Sequence, residues 1–90
     1  MKFEKLESNL VLIIDSLEGN LPSEQLGDMR DLARSGEYGV AFENLCTQLF
    51  EYEVAISPMV FASLKDMGTL MNLDSENWTQ LEVKPPRQAT

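Results

Sequence analysis

The sequence has no histidine and a single cysteine, Cys46. Without imidazole, Ser-His and Cys-His nucleophilic catalysis and imidazole-ligated metal sites are excluded. One thiol makes neither an internal disulfide nor a thiolate zinc cluster, and its scarcity suits a reducing compartment. Cys46 lies among apolar residues and reads as a small core hydrophobe. Long apolar runs are missing too: the longest, Leu10 to Ile14, is far short of the ~20 residues of a membrane span. Met1 to Ser8 alternates charged and apolar side chains, without the basic start and apolar run of a signal peptide, so a cytoplasmic location is expected. Positive charge is scarce. Seven Lys and Arg face 15 Asp and Glu, a formal net charge of −8. Phosphate affinity comes from Lys and Arg, so this balance argues against direct binding of nucleic acid or an anionic membrane. It suits a partner that is itself basic.

What is present is helical periodicity. The 90 residues predict one domain with one core and little room for a deep cleft. Phe3, Leu6, Leu10, Ile13, Ile14 and Leu17 recur at three- and four-residue steps and form one apolar stripe. Gly19-Asn20-Leu21-Pro22 ends that helix, with Gly as a left-handed cap and Pro suited to the next first turn. A second helix runs from about Pro22 to Arg34, with Leu26, Met29 and Ala33 inward; Arg30 and Arg34 lie late in it, where cations favour the helix dipole. A third covers roughly Glu37 to Tyr52, with Tyr38, Ala41, Phe42, Leu45, Leu49 and Tyr52 inward and Cys46 at the border. Ser57-Pro58 reads as an N-cap followed by Pro at the first position of a fourth helix, which places Val60, Phe61, Leu64, Met67 and Met71 inward. A short fifth helix or turn brings Trp78 and Leu81 back to the core. The expected fold is an all-α, small single-domain bundle of four to five helices over residues 1–83, followed by a loosely ordered tail over 84–90.

The negative charge is not evenly spread. Residues 37–57 carry Glu37, Glu43, Glu51 and Glu53 with no base, and no Lys or Arg occurs between Arg34 and Lys65. On the outer face of the third helix Glu37, Asn44 and Glu51 are seven residues apart and nearly superimpose; Val40, Glu43 and Thr47 lie beside them and Phe50 at the edge. Met59 and Leu70 on the fourth helix and Leu12 on the first point away from their core stripes, as isolated apolar residues often do.

Three familiar patterns fail. Asp15-Ser16-Leu17 matches the phosphopantetheine attachment motif of acyl carrier proteins. There, however, the serine opens the second helix after a long loop, whereas Ser16 is near the end of the first. Asp74-Ser75-Glu76-Asn77 starts like an EF-hand but lacks the required Gly and the ligand spacing, so Asp74 reads as a helix cap. Carboxylates at i, i+4 occur on any acidic helix and say nothing about acid–base chemistry without a cleft. Neither enzymatic activity nor a cofactor or metal is expected.

The stretch Gly36-Glu37-Tyr38-Gly39-Val40-Ala41-Phe42-Glu43-Asn44-Leu45-Cys46 through Glu51-Tyr52-Glu53 resembles the central stretch of MafI-type immunity proteins. In that family a Gly-Glu-x-Gly turn leads into a helix bearing Ala-x-Glu-x-Leu-Cys and then an acidic Glu-Tyr end. The order of the surrounding helices is similar over roughly residues 3–82. The resemblance implies a bacterial cytoplasmic antitoxin that neutralises a cognate toxin of contact-dependent inhibition systems. Several relatives accompany RNA-cleaving toxins of the EndoU type, whose phosphate-attracting groove tends to be basic. It also implies structural roles for part of the motif: Gly36 and Gly39 for the turn and close packing, Leu45 and Cys46 for the core.

The expected function is therefore occlusion of a toxin nuclease domain by charge complementarity. The expected partner-binding residues are Glu37, Glu43, Asn44, Thr47, Phe50, Glu51 and Glu53, with Asp66 as an outlier on the fourth helix. A structural alternative has Glu43 and Glu51 bracing neighbouring helices. A functional alternative is a general acidic interaction module or nucleic-acid mimic.

Overall fold

The computed structural model describes residues 5–84. Five helices follow one another: α1 (Leu6–Ser16), α2 (Ser23–Arg34), α3 (Tyr38–Glu51), α4 (Pro58–Leu70) and α5 (Glu76–Thr79). The expected all-α class is observed. Phe3 and the tail from residue 85 onward lie outside the described residues. No described helix is long and apolar enough to cross a membrane.

Helix ends are set locally. Ser57 Oγ accepts from the Val60 N–H at 3.1 Å, and Pro58 occupies the first turn of α4, as the sequence requires. Asp74 acts one position ahead of the assigned cap of α5: its Oδ1 accepts from the Glu76 N–H at 2.9 Å. Pro22 stands at the N-cap of α2 rather than inside its first turn. The C-termini of α2, α3 and α4 share one device, in which paired N–H groups close back on the last turn. At α2 the Gly36 N–H meets the Ala33 carbonyl at 3.2 Å and the Glu37 N–H meets the Leu32 carbonyl at 2.9 Å. The same pair recurs at Glu53 and Val54 (to Phe50 and Leu49) and at Asn72 and Leu73 (to Thr69 and Gly68). The turn residue has positive φ in each case: 86° at Gly36, 53° at Glu53 and 58° at Asn72.

Among the described residues no polar or charged residue is buried as a whole, although Gln48 Oε1 on α3 is shut from solvent without a hydrogen-bond partner. Leu6, Leu10 and Ile14 of α1, Leu26 and Met29 of α2, and Phe42, Leu45, Cys46 and Leu49 of α3 form the centre of the core. Burial of each large aliphatic or aromatic side chain contributes about 1.5–3 kcal/mol. Leu64 and Met67 of α4, with Trp78 and Leu81, complete it. Arg30 joins α1 to α2. Its Nε donates to Asp15 Oδ1 at 2.6 Å and its Nη2 to Glu18 Oε1 at 2.8 Å. The hydrogen bonds to Glu18 and then to Asp15 push the guanidinium above its ordinary pKa. Arg30 thus serves a tertiary pairing rather than the helix end alone.

Two inward or outward assignments from periodicity need correction, and so does one role that the resemblance implies. Tyr52, expected inward, is 50% exposed, because α3 ends at Glu51 and the following turn breaks the helical projection. Leu70, expected to point outward, is half-buried and packs against the core. Gly39, expected to allow close packing, has open space where a Cβ would stand. The close approach is at Gly68, inside α4: a Cβ built there would lie 2.1 Å from Cζ3 of Trp78. Trp78 in turn meets Phe42 edge-on, with centroids 6.1 Å apart and planes at 74°.

Substituting the two glycines should therefore have opposite effects. Gly68→Ala forces a methyl into the indole and is expected to lower stability by about 2 kcal/mol, although helix propensity alone favours Ala by about 1 kcal/mol. Gly39→Ala adds a methyl into open space and is expected to raise stability by about 0.5 kcal/mol. Urea midpoints of the two variants check this; equal responses would mean that Trp78 does not constrain α4.

Candidate protein-binding surface

The candidate surface is built on α3, whose inner side is committed to the core. Ala41, Phe42, Leu45, Cys46 and Leu49 are buried, which fixes the rotation of the helix and turns Glu43, Asn44, Thr47, Phe50 and Glu51 to solvent. All five are exposed; Phe50 is 50% exposed and Val40 45%. Glu37 stands at the N-cap of α3 and Glu53 in the turn beyond its C-terminus, and both are exposed. These seven expected residues thus run along one helix and its two ends. Asp66 is exposed as well, but it lies on α4, where it lines a shallow depression with Lys65, Thr69 and Leu70. Among the described residues no hydrogen bond joins it to the α3 residues, and its depression has no lining residue in common with the hollow at Phe50 and Glu53.

The bracing role considered for Glu43 and Glu51 is not observed. Among the described residues the ion pairs are those of Arg30 with Asp15 and Glu18, and neither Glu43 nor Glu51 makes a side-chain hydrogen bond. No group of three or more potential metal ligands comes together among the described residues.

Two features escape periodicity. Glu82 and Gln80 share a hollow with Leu49, Phe50, Glu53 and Val54. They arrive there because the chain after α5 pairs with the α3–α4 connection. The Ile56 N–H donates to the Glu82 carbonyl at 2.9 Å, and the Lys84 N–H donates to the Ile56 carbonyl at 2.8 Å. Such a pairing across more than 20 residues leaves no local signal. The second feature is a depression between α1 and α4, where Leu12 (66% exposed) and Met59 (81% exposed) meet over Ile13 and Val60 with no charged residue in the lining. Read singly these looked isolated; folded, they adjoin.

Cys46 is not an available nucleophile. Burial, and secondarily the Glu43 carboxylate, push its thiol up to about 12. The folded state holds the proton more tightly than the unfolded chain, whose thiol has its ordinary value of 9.0. The thiol's contribution to stability is therefore complete below about pH 9 and is lost as pH rises from there toward 12. At pH 8 Cys46 is expected to resist an aromatic disulfide reagent in the folded protein and to react within seconds to minutes in urea. Rapid labelling of the native protein would contradict its burial.

Glu53 holds a left-handed backbone where α2 uses Gly36 and α4 uses Asn72. Such a conformation costs a side-chain-bearing residue about 1 kcal/mol. Glu53→Gly is expected to raise stability by about 0.5–1 kcal/mol, a shift of a few degrees in Tm by circular dichroism. An unchanged or lower Tm would show that the carboxylate stabilises the fold.

Comparison of the chain with protein-family models, with curated proteins and with solved structures gave no match.

Proposed function

We infer that this protein is an immunity protein that neutralises a cognate toxin nuclease by covering a basic surface of it. The observation that carries the reading is the outer face of α3. Glu43, Asn44, Thr47, Phe50 and Glu51 are exposed together, with Glu37 and Glu53 at the two ends and no basic residue between Arg34 and Lys65 to neutralise them. The resemblance of Gly36 to Glu53 to the MafI-type motif supports the same reading and suggests an EndoU-type RNase as the partner.

The physical logic is simple. A nuclease must attract phosphate, so its groove is cationic. An inhibitor carrying net −8 is drawn to that groove from a distance and associates quickly at low salt. Once docked, the carboxylates replace phosphates, and the ring of Phe50 supplies an apolar anchor of the kind that dominates interface energetics. A stable complex buries about 800 Å² on each partner, which a four-turn helix with its flanking turns and a neighbouring element can provide.

Co-purification with the product of the neighbouring gene, followed by RNA cleavage with and without this protein, tests the reading. One-to-one binding with protected RNA is expected; failure to bind or to protect would refute it. In the double variant Glu43→Lys/Glu51→Lys, the association rate with that toxin is expected to fall about tenfold or more at low salt, while the helical spectrum stays unchanged. If neutralisation persists unaltered, α3 is the wrong surface.

A further inference from the structure

We propose that the hollow at the C-terminal end of α3 receives an arginine side chain of the protein's basic partner. This deepens the function proposed above and rests on its claim that the partner is basic. Leu49 and Val54 give it an apolar floor, and Glu53 and Glu82 line it from separate segments, brought together by the pairing of Ile56 with residues 82–84. The space measures about 140 Å³. A cavity of about that size accepts a benzene-sized group, so a guanidinium with its last methylenes fits.

Three properties of the hollow point to a cation with a planar, partly apolar body. First, two glutamates 29 residues apart in sequence line it, and neither forms an ion pair among the described residues. Second, α3 ends beside it with no basic residue in its last turn, so the negative end of the helix dipole has no counter-charge of its own. Third, Phe50 presents a half-exposed ring at the rim. Guanidinium stacks on an aromatic face and binds carboxylates through a planar fork, whereas the ammonium of lysine is a compact, strongly hydrated charge. An apolar guest would leave both carboxylates partly desolvated without a partner, and an anion would be repelled. Arginine is the residue that the floor and the rim both suit.

The test uses the whole protein and three small probes: N-acetyl-arginine amide, N-acetyl-lysine amide and N-acetyl-citrulline amide, the last an uncharged near-isostere of the first. Amide chemical shifts are followed by NMR during titration. The expected result is saturable perturbation centred on Glu53, Val54 and Glu82 with the arginine probe, weaker with lysine and absent with citrulline. In Glu53→Gln/Glu82→Gln, which preserves shape, arginine affinity is expected to fall about tenfold or more. Equal response to citrulline, or shifts spread over all acidic residues, would overturn the proposal. So would tighter arginine binding in Arg87→Gln, which would assign the hollow to the chain's own tail. The double Gln variant also separates this proposal from the function on which it rests. If it still binds and neutralises the toxin at wild-type affinity, the arginine hollow is refuted and the immunity reading stands. If wild type binds the arginine probe at this site but never the toxin, the immunity reading fails instead.

Discussion

The indole of Trp78 fills the space that Gly68 leaves on α4 and lies edge-on to Phe42 of α3. This one approach joins the C-terminal part of the chain to the core that α1, α2 and α3 build. α5 has only four residues and would not hold its shape alone. It persists because its one large side chain is clamped between two longer helices. The clamp also locates the chain that follows: Leu81 is buried, and residues 82–84 fall alongside the α3–α4 connection, where Ile56 pairs with them. The position of Glu82 beside Glu53 is thus a distant result of a glycine in the middle of α4.

Charge is arranged by the same economy of parts. With no charged side chain buried among the described residues, the ionic groups are at the surface, and the way they are distributed distinguishes one face from another. Arg30 neutralises two carboxylates at the α1–α2 seam, where it reinforces packing. α3 has no such cation, so its outward glutamates keep their full field. Its ends differ in backbone as well as in charge, since Glu53 occupies the left-handed turn that Gly36 and Asn72 serve elsewhere.

Much of this was legible in the sequence because it is local. The breaks at Gly36 and Ser57-Pro58 are short-range rules of turn and cap chemistry, and the helical stripes place Phe42, Leu45, Leu49, Leu64 and Trp78 inside without reference to the fold. The outward residues of α3 follow from the same wheel, read in reverse. What was not legible depends on events beyond one helix. Tyr52 was assigned inward by extending a helical projection past the helix's last residue. Leu70 reads as outward on a wheel, which takes no account of the core it packs against. Gly39 and Gly68 look alike in sequence and differ only in what faces them. The pairing of Ile56 with residues 82–84, which brings in Gln80 and Glu82, has no periodic signature at all.

Trp78 is also the only tryptophan in the chain, and it is 5% exposed at the junction of three helices. Emission excited selectively from tryptophan, above the absorption of Tyr38 and Tyr52, therefore reports on a single place. A blue-shifted, shielded signal means that the α3–α4–α5 junction is closed, and a red shift means that it has opened to water. The outward residues of α3 lie on the other side of that helix from the indole. A ligand confined to Glu43, Asn44 and Thr47 leaves that emission unchanged unless it disturbs the core, whereas one seated in the hollow touches Gln80 at the end of the helix that carries the indole, so a single optical signal tells the middle of the candidate surface from its C-terminal end.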